Sequence, residues 1–110
     1  MKHMSSFQLP QRLLAQSISD RELVLPPEAA LEAIAFLEAQ DVHILGWEGW
    51  VKDAHGRVGH GAAPQGTVSL ESLPIKDAAE LCRATIAQAV AQWSKEHPGA
   101  EHELHVCITF

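Results

Sequence analysis

Glu48 is the carboxylate best placed to do chemistry, because it stands in the run Gly46-Trp47-Glu48-Gly49-Trp50, flanked by two tryptophans. An apolar setting disfavours the ionised form, raises the pKa and brings such a group toward general acid or base work. A glutamate among indoles equally serves as a hydrogen-bonded network member or an interface anchor, so both readings stay open. Cys107 is the second candidate. It shares a strand face with His105 and Glu103, a spacing that places a base within reach of a thiol. Cys82 lies in an apolar helical pattern and reads as a small buried hydrophobe.

Seven histidines raise the question of a metal. Their spacing answers against one. His102 and His105 are three apart on a strand and point to opposite faces, and His55 and His60 bracket a glycine loop. Zinc sites use tight Cys/His pairs or a helical His-Glu-x-x-His run, and neither is present. His97 near a helix C-terminus is explained by the helix dipole. The chain carries no serine-hydrolase, P-loop or dinucleotide motif. Its Gly59-His60-Gly61 lacks a third glycine and does not join a strand to a helix. The expectation is therefore no catalytic residues, no metal and no cofactor: a protein that is not an enzyme.

The elements that must position these residues follow from periodicity. A chain of 110 residues supports one domain. The opening Met1-Lys2-His3-Met4 reads in part as a cloning remnant and is set aside. Residues 5–25 are poorly defined, with a short helix beginning near Pro10 and a polar turn from Ser17 to Glu22. Pro26-Pro27-Glu28 opens a helix to Gln40, with Ala30, Leu31, Ile34 and Leu37 on its buried stripe. Asp41 to Asp53 reads as a strand with Trp47 and Trp50 on opposite faces. Gly46 and Gly49 mark a bulge or a close backbone approach. A turn at Asp53–Arg57 and a glycine loop at Val58–Gly66 follow, then a short strand at Thr67–Glu71. Ser72 caps a long helix over Leu73–His97, with Ala79, Cys82, Ile86, Val90 and Trp93 on one stripe. His102–Phe110 closes the chain as a strand, with Leu104, Val106, Ile108 and Phe110 on its core face. This predicts an α+β fold: a mainly antiparallel sheet of three to four strands, with two main helices packed on one face.

Charge sharpens the functional expectation. The net charge of −6 is carried entirely by Asp20–Glu48, where seven acids stand against one base, Arg21. Such a field repels phosphate, so neither nucleic acid nor a membrane is expected as partner. It steers a basic protein, or it is a solvated helix face that keeps the chain soluble. On the outward side of the first long helix Glu28, Glu32 and Phe36 fall in line, and a phenylalanine on an acidic face is a candidate contact. Two cysteines without disulfide or metal spacing, and apolar runs too short to span a bilayer, point to the cytoplasm.

The segment Ile44-Leu45-Gly46-Trp47-Glu48-Gly49-Trp50-Val51 and the ending Val106-Cys107-Ile108-Thr109-Phe110 together resemble a family of small bacterial immunity proteins encoded beside polymorphic toxin genes, immunity protein family forty. The order of elements is similar across most of residues 26–110, including a long helix with a late tryptophan; the N-terminal segment is not matched. The resemblance implies a non-enzymatic inhibitor that binds a cognate toxin domain in the cytoplasm and blocks its active site. An acidic surface suits a basic toxin cleft, and aromatic anchors suit hot spots. The residues expected to meet the partner are Glu28, Glu32, Phe36, Trp47, Glu48 and Trp50. Two alternatives stand beside this one: a homodimeric or regulatory interaction module, and a small enzyme using Glu48, or Cys107 with His105.

Overall fold

In the computed structural model the described residues are 9–60, 63–99 and 101–110. The Met1–Met4 opening lies outside them. The elements are α1 (Gln11–Leu14), β1 (Leu23–Leu25), α2 (Pro27–Ala39), β2 (Gly46–Lys52), β3 (Val58–Gly59), α3 (Ile75–Glu96) and β4 (Glu103–Thr109). The strands form one antiparallel sheet in the order β1-β4-β2-β3. Both long helices pack on one face of it, so the chain forms the α+β arrangement that its patterning predicts.

Helix α2 starts where two prolines preset its first turn. Pro26 is the cap, its carbonyl accepts the Ala30 N–H at 2.9 Å, and Pro27 is the first helical residue. Its buried side is Ala29, Ala30, Ala33, Ile34 and Leu37. The small alanines let the helix lie close, while Ile34 and Leu37 supply the apolar area, each worth about 1.5–3 kcal/mol when fully buried. The helix closes with a Schellman arrangement. Asp41 takes a left-handed φ of 57°, its N–H bonds the Glu38 carbonyl at 3.0 Å, and the Val42 N–H bonds Leu37 at 2.9 Å.

That closure corrects one expectation. The strand predicted from Asp41 begins only at Gly46, because residues 40–42 are spent ending α2. Strict alternation from Asp41 would put Ile44 on the Glu48 face. Ile44 instead lies fully buried in the helix-side core. Ladder bonding starts as the Leu45 N–H reaches the Thr109 carbonyl at 2.8 Å.

Helix α3 also starts later than expected. Its cap is Pro74, not Ser72. No side chain caps it, and the Pro74 carbonyl accepts the Ala78 N–H at 2.9 Å. Ala78, Ala79, Cys82 and Ile86 are buried, and Ala89 and Val90 pack at the core margin. Arg83 crosses to Glu38 at 2.7 Å and links α3 to α2. His97 caps the end, and Gly99 turns the chain with a φ of 65°.

The segment predicted as a strand at Thr67–Glu71 is not one. It runs beside β2 with isolated bonds, Thr67 N–H to Trp47 carbonyl at 3.0 Å and Leu70 N–H to Leu45 carbonyl at 2.7 Å. The hairpin partner of β2 is β3, inside the expected glycine loop, with Val51 opposite Gly59 and Lys52 opposite Val58. Strand β1 arises from the segment that reads poorly. Its Leu23, Val24 and Leu25 are fully buried against β4. Its far edge is occupied by Ser17, whose hydroxyl accepts the Val24 N–H at 3.1 Å, and by the Ile18 N–H on the Val24 carbonyl at 3.0 Å. The β1 edge is thereby blunted against pairing with another chain.

Candidate functional site

Register sorts the sheet residues onto two faces, since antiparallel partners project to the same side. Trp47 opposite Ile108 and Gly49 opposite Val106 face the helices. Glu48 opposite Cys107, and Trp50 opposite His105, face the other way, where Val24 of β1 also pairs with Cys107. This face is largely closed: Val24, His105 and Cys107 on it are at most 5% exposed, and Leu14 of α1 lines a cavity with Trp50 there. It is partly roofed by the 15–22 loop, whose Ser17, Ile18 and Ser19 share a cavity with Trp50, and by His60 set edge-on to Trp50 at 5.0 Å.

The six residues expected to meet a partner divide into three groups. Glu28, Glu32 and Phe36 are exposed in one line along α2, on the side away from the sheet. Glu48 and Trp50 lie on the outer sheet face, Glu48 exposed and Trp50 half-buried. Trp47 is 4% exposed in the core, and its indole N–H donates to the Thr85 hydroxyl on α3 at 2.9 Å. Of the six it alone has no surface to offer. The structure therefore does not bring the set together.

Two of the acids in the charged first half have found bases from elsewhere in the chain. Arg12 on α1 pairs with Glu32, and each lowers the free energy of the other's charged form: the hydrogen bond holds Glu32 below the usual carboxylate range and raises Arg12. Both side chains stay about half exposed, 58% and 48%, so this is a surface pair of the kind that contributes little. Glu38 is engaged by Arg83 as above. Local charge counting sees Arg21 alone, because Arg12 and Arg83 come from other elements.

The outer face gathers three groups from three strands or their ends. The Glu22 and Glu48 carboxylates and the Cys107 sulfur all lie within 4.8 Å of one another. Cys107 is 2% exposed. Burial first, then the negative charges of Glu22 and Glu48, push its thiol up to about 12. A reactive cysteine needs the opposite environment. The near neighbours of the thiol are thus carboxylates. His105 sits on the same face, its Nδ1 3.5 Å from the Glu103 carbonyl. Cys82 is buried on α3, and burial raises it to about 11. Glu22 was hidden in the sequence inside a polar turn, and nothing in its neighbours there signals Cys107.

A separate cleft of about 380 Å³ opens between α3 and the β2–β3 hairpin, walled by Val51, Arg57, Val58, Trp93, His97 and His102. His97 stacks on Trp93 at 3.9 Å, which uses its ring to close the helix end.

No family model, no curated protein and no solved structure matches this chain. Among the described residues no helix is long and apolar enough to cross a membrane.

Proposed function

We propose that this chain is a non-enzymatic immunity protein, which neutralises a cognate bacterial toxin domain by binding it. The observation that carries the proposal is Phe36, 37% exposed on the outward side of α2 in line with the exposed Glu28 and Glu32. A large aromatic ring rimmed by carboxylates suits a basic protein surface: the charges speed encounter and set orientation, and the ring supplies the desolvated anchor. The resemblance of the Gly46–Trp50 segment and the Val106–Phe110 ending to immunity proteins supports the same reading. The Arg12–Glu32 pair does not oppose it, because an exposed ion pair of this kind is weak enough to be exchanged for a partner's base.

The test is co-expression with the toxin domain encoded by the neighbouring upstream gene. The chain should restore growth, and Phe36→Asp should weaken the complex by about thirty-fold, the effect of losing a ~2 kcal/mol hot spot. Equal killing with and without the chain would end the proposal. If Phe36 instead joins two copies, sedimentation would show a dimer that Phe36→Asp converts to monomer, with no protection in either form.

A further inference from the structure

The α2 surface leaves the cluster on the outer sheet face unexplained. Glu22 and Glu48 hold like charges at close range, and among the described residues no arginine, lysine or histidine pairs with either. Two carboxylates so placed repel one another unless a cation stands between them. Exposed acidic pairs of this sort are common and prove nothing alone. Here a second and independent feature joins them. The Cys107 thiol is 2% exposed, makes no hydrogen bond among the described residues, and its sulfur lies within 4.8 Å of a carboxylate oxygen of each glutamate.

From this convergence we infer a binding site for a single borderline-soft divalent cation of the zinc class, with the Glu22 and Glu48 carboxylates and the Cys107 sulfur as its ligands. The sulfur argues against the hard cations calcium and magnesium, which take oxygen donors. Two carboxylates beside one sulfur argue against copper(I), which prefers thiolates and thioethers throughout. Zinc accepts sulfur and carboxylate oxygen together, commonly with three protein ligands and a fourth position left open.

The geometry requires only a small adjustment. Donors bound tetrahedrally at roughly 2.0–2.3 Å from zinc lie about 3.3–3.8 Å apart, so the cluster must close by about 1 Å. Glu22 and Glu48 are exposed and can move by that amount; Cys107 sits in the central strand β4 and anchors the site. Trp50 supports it from outside the ligand set, its Nε1–H donating to the Glu48 Oε1 at 3.2 Å. Such a bond orients a ligating carboxylate. On binding, the Cys107 S–H bond breaks, an S–metal bond forms and the proton passes to solvent.

Cobalt(II) is the probe, because thiolate ligation gives a charge-transfer band in the near ultraviolet that carboxylates alone do not. Titrating the full chain should give that band at one equivalent, and zinc should abolish it. Cys107→Ser should remove the band while Cys82→Ser keeps it. Glu22→Gln and Glu48→Gln, both at exposed positions, should each weaken binding by about ten-fold or more with circular dichroism unchanged. No band with the wild-type chain, or a band that survives Cys107→Ser, overturns the inference. So does affinity unchanged in both glutamine variants. Phe36→Asp should leave the band intact, so failure here and failure of the toxin-binding proposal are read separately.

Discussion

Trp47 and Trp50 stand three residues apart in one strand and do opposite work. Trp47 faces the helices, 4% exposed, and its N–H meets the Thr85 hydroxyl, which itself donates to the Leu81 carbonyl at 2.7 Å. The indole thus ties the sheet to α3 by a part-buried bond at the margin of the core. Trp50 faces outward, half-buried, with its N–H on the Glu48 carboxylate and His60 at its edge. The Gly46–Trp50 segment is therefore not one functional unit. Trp47 and Gly49 build the fold, while Glu48 and Trp50 dress a surface.

Truncating each ring separates the two roles most sharply. Trp47→Ala should cost about 3–5 kcal/mol, because it removes a core aromatic and leaves a cavity. Trp50→Ala should cost well under half as much, while loosening the Glu48 carboxylate. Chemical denaturation of both variants checks this. Equal losses would show that the outer ring is also part of the core.

A smaller effect is expected at Gly49, which lies between the two rings on the helix-side face. A Cβ there would stand 2.6 Å from the Pro64 carbonyl oxygen, the same atom that accepts the Gly49 N–H at 2.9 Å. Gly49→Ala must push the 63–70 segment off β2, at a cost of about 1–3 kcal/mol typical of overpacking. Amide exchange should then rise at Gly49 and at Thr67, which bonds Trp47. Unchanged protection at both would mean that the segment is held by something other than this close approach.

The elements differ in how legible they are in the sequence, for physical reasons. The stripes of α2 and α3 and the alternation of β4 are local, repeating signals, and they predicted Ile34, Leu37, Cys82, Ile86, Val106 and Ile108 as core. Gly49 was legible as a close approach, but its partner Pro64 was not, since a glycine names the space and not the occupant. Strand β1 is only three residues long and draws its stability from β4, far away in sequence. No local window could weigh that pairing. The same limit hid the outer-face cluster. Its three groups meet only through the registers of β1 and β2 on β4, so a search for ligands at motif spacing passes over all of them.

The smallest effect tests where the influence of either tryptophan ends. Beyond Lys52 the chain turns on one carboxylate. Asp53 Oδ1 accepts the N–H groups of His55 and Arg57, both at 2.9 Å, while Arg57 Nε reaches Oδ2 at 2.8 Å. The Arg57 backbone bond is the chief reason that Asp53 is held below the usual carboxylate range. Partial burial works against it, and the His55 backbone bond and the Arg57 guanidinium add to it. A depressed carboxylate stabilises the fold above its ordinary pKa, and the contribution is lost as pH falls through the depressed value. Arg57→Ala removes the guanidinium and keeps the backbone N–H. The Asp53 midpoint, followed by NMR, should therefore rise only part of the way to its ordinary value, and Trp50→Ala should not move it. A full return to the ordinary value in Arg57→Ala would show that the ion pair, and not the backbone, holds the end of β2.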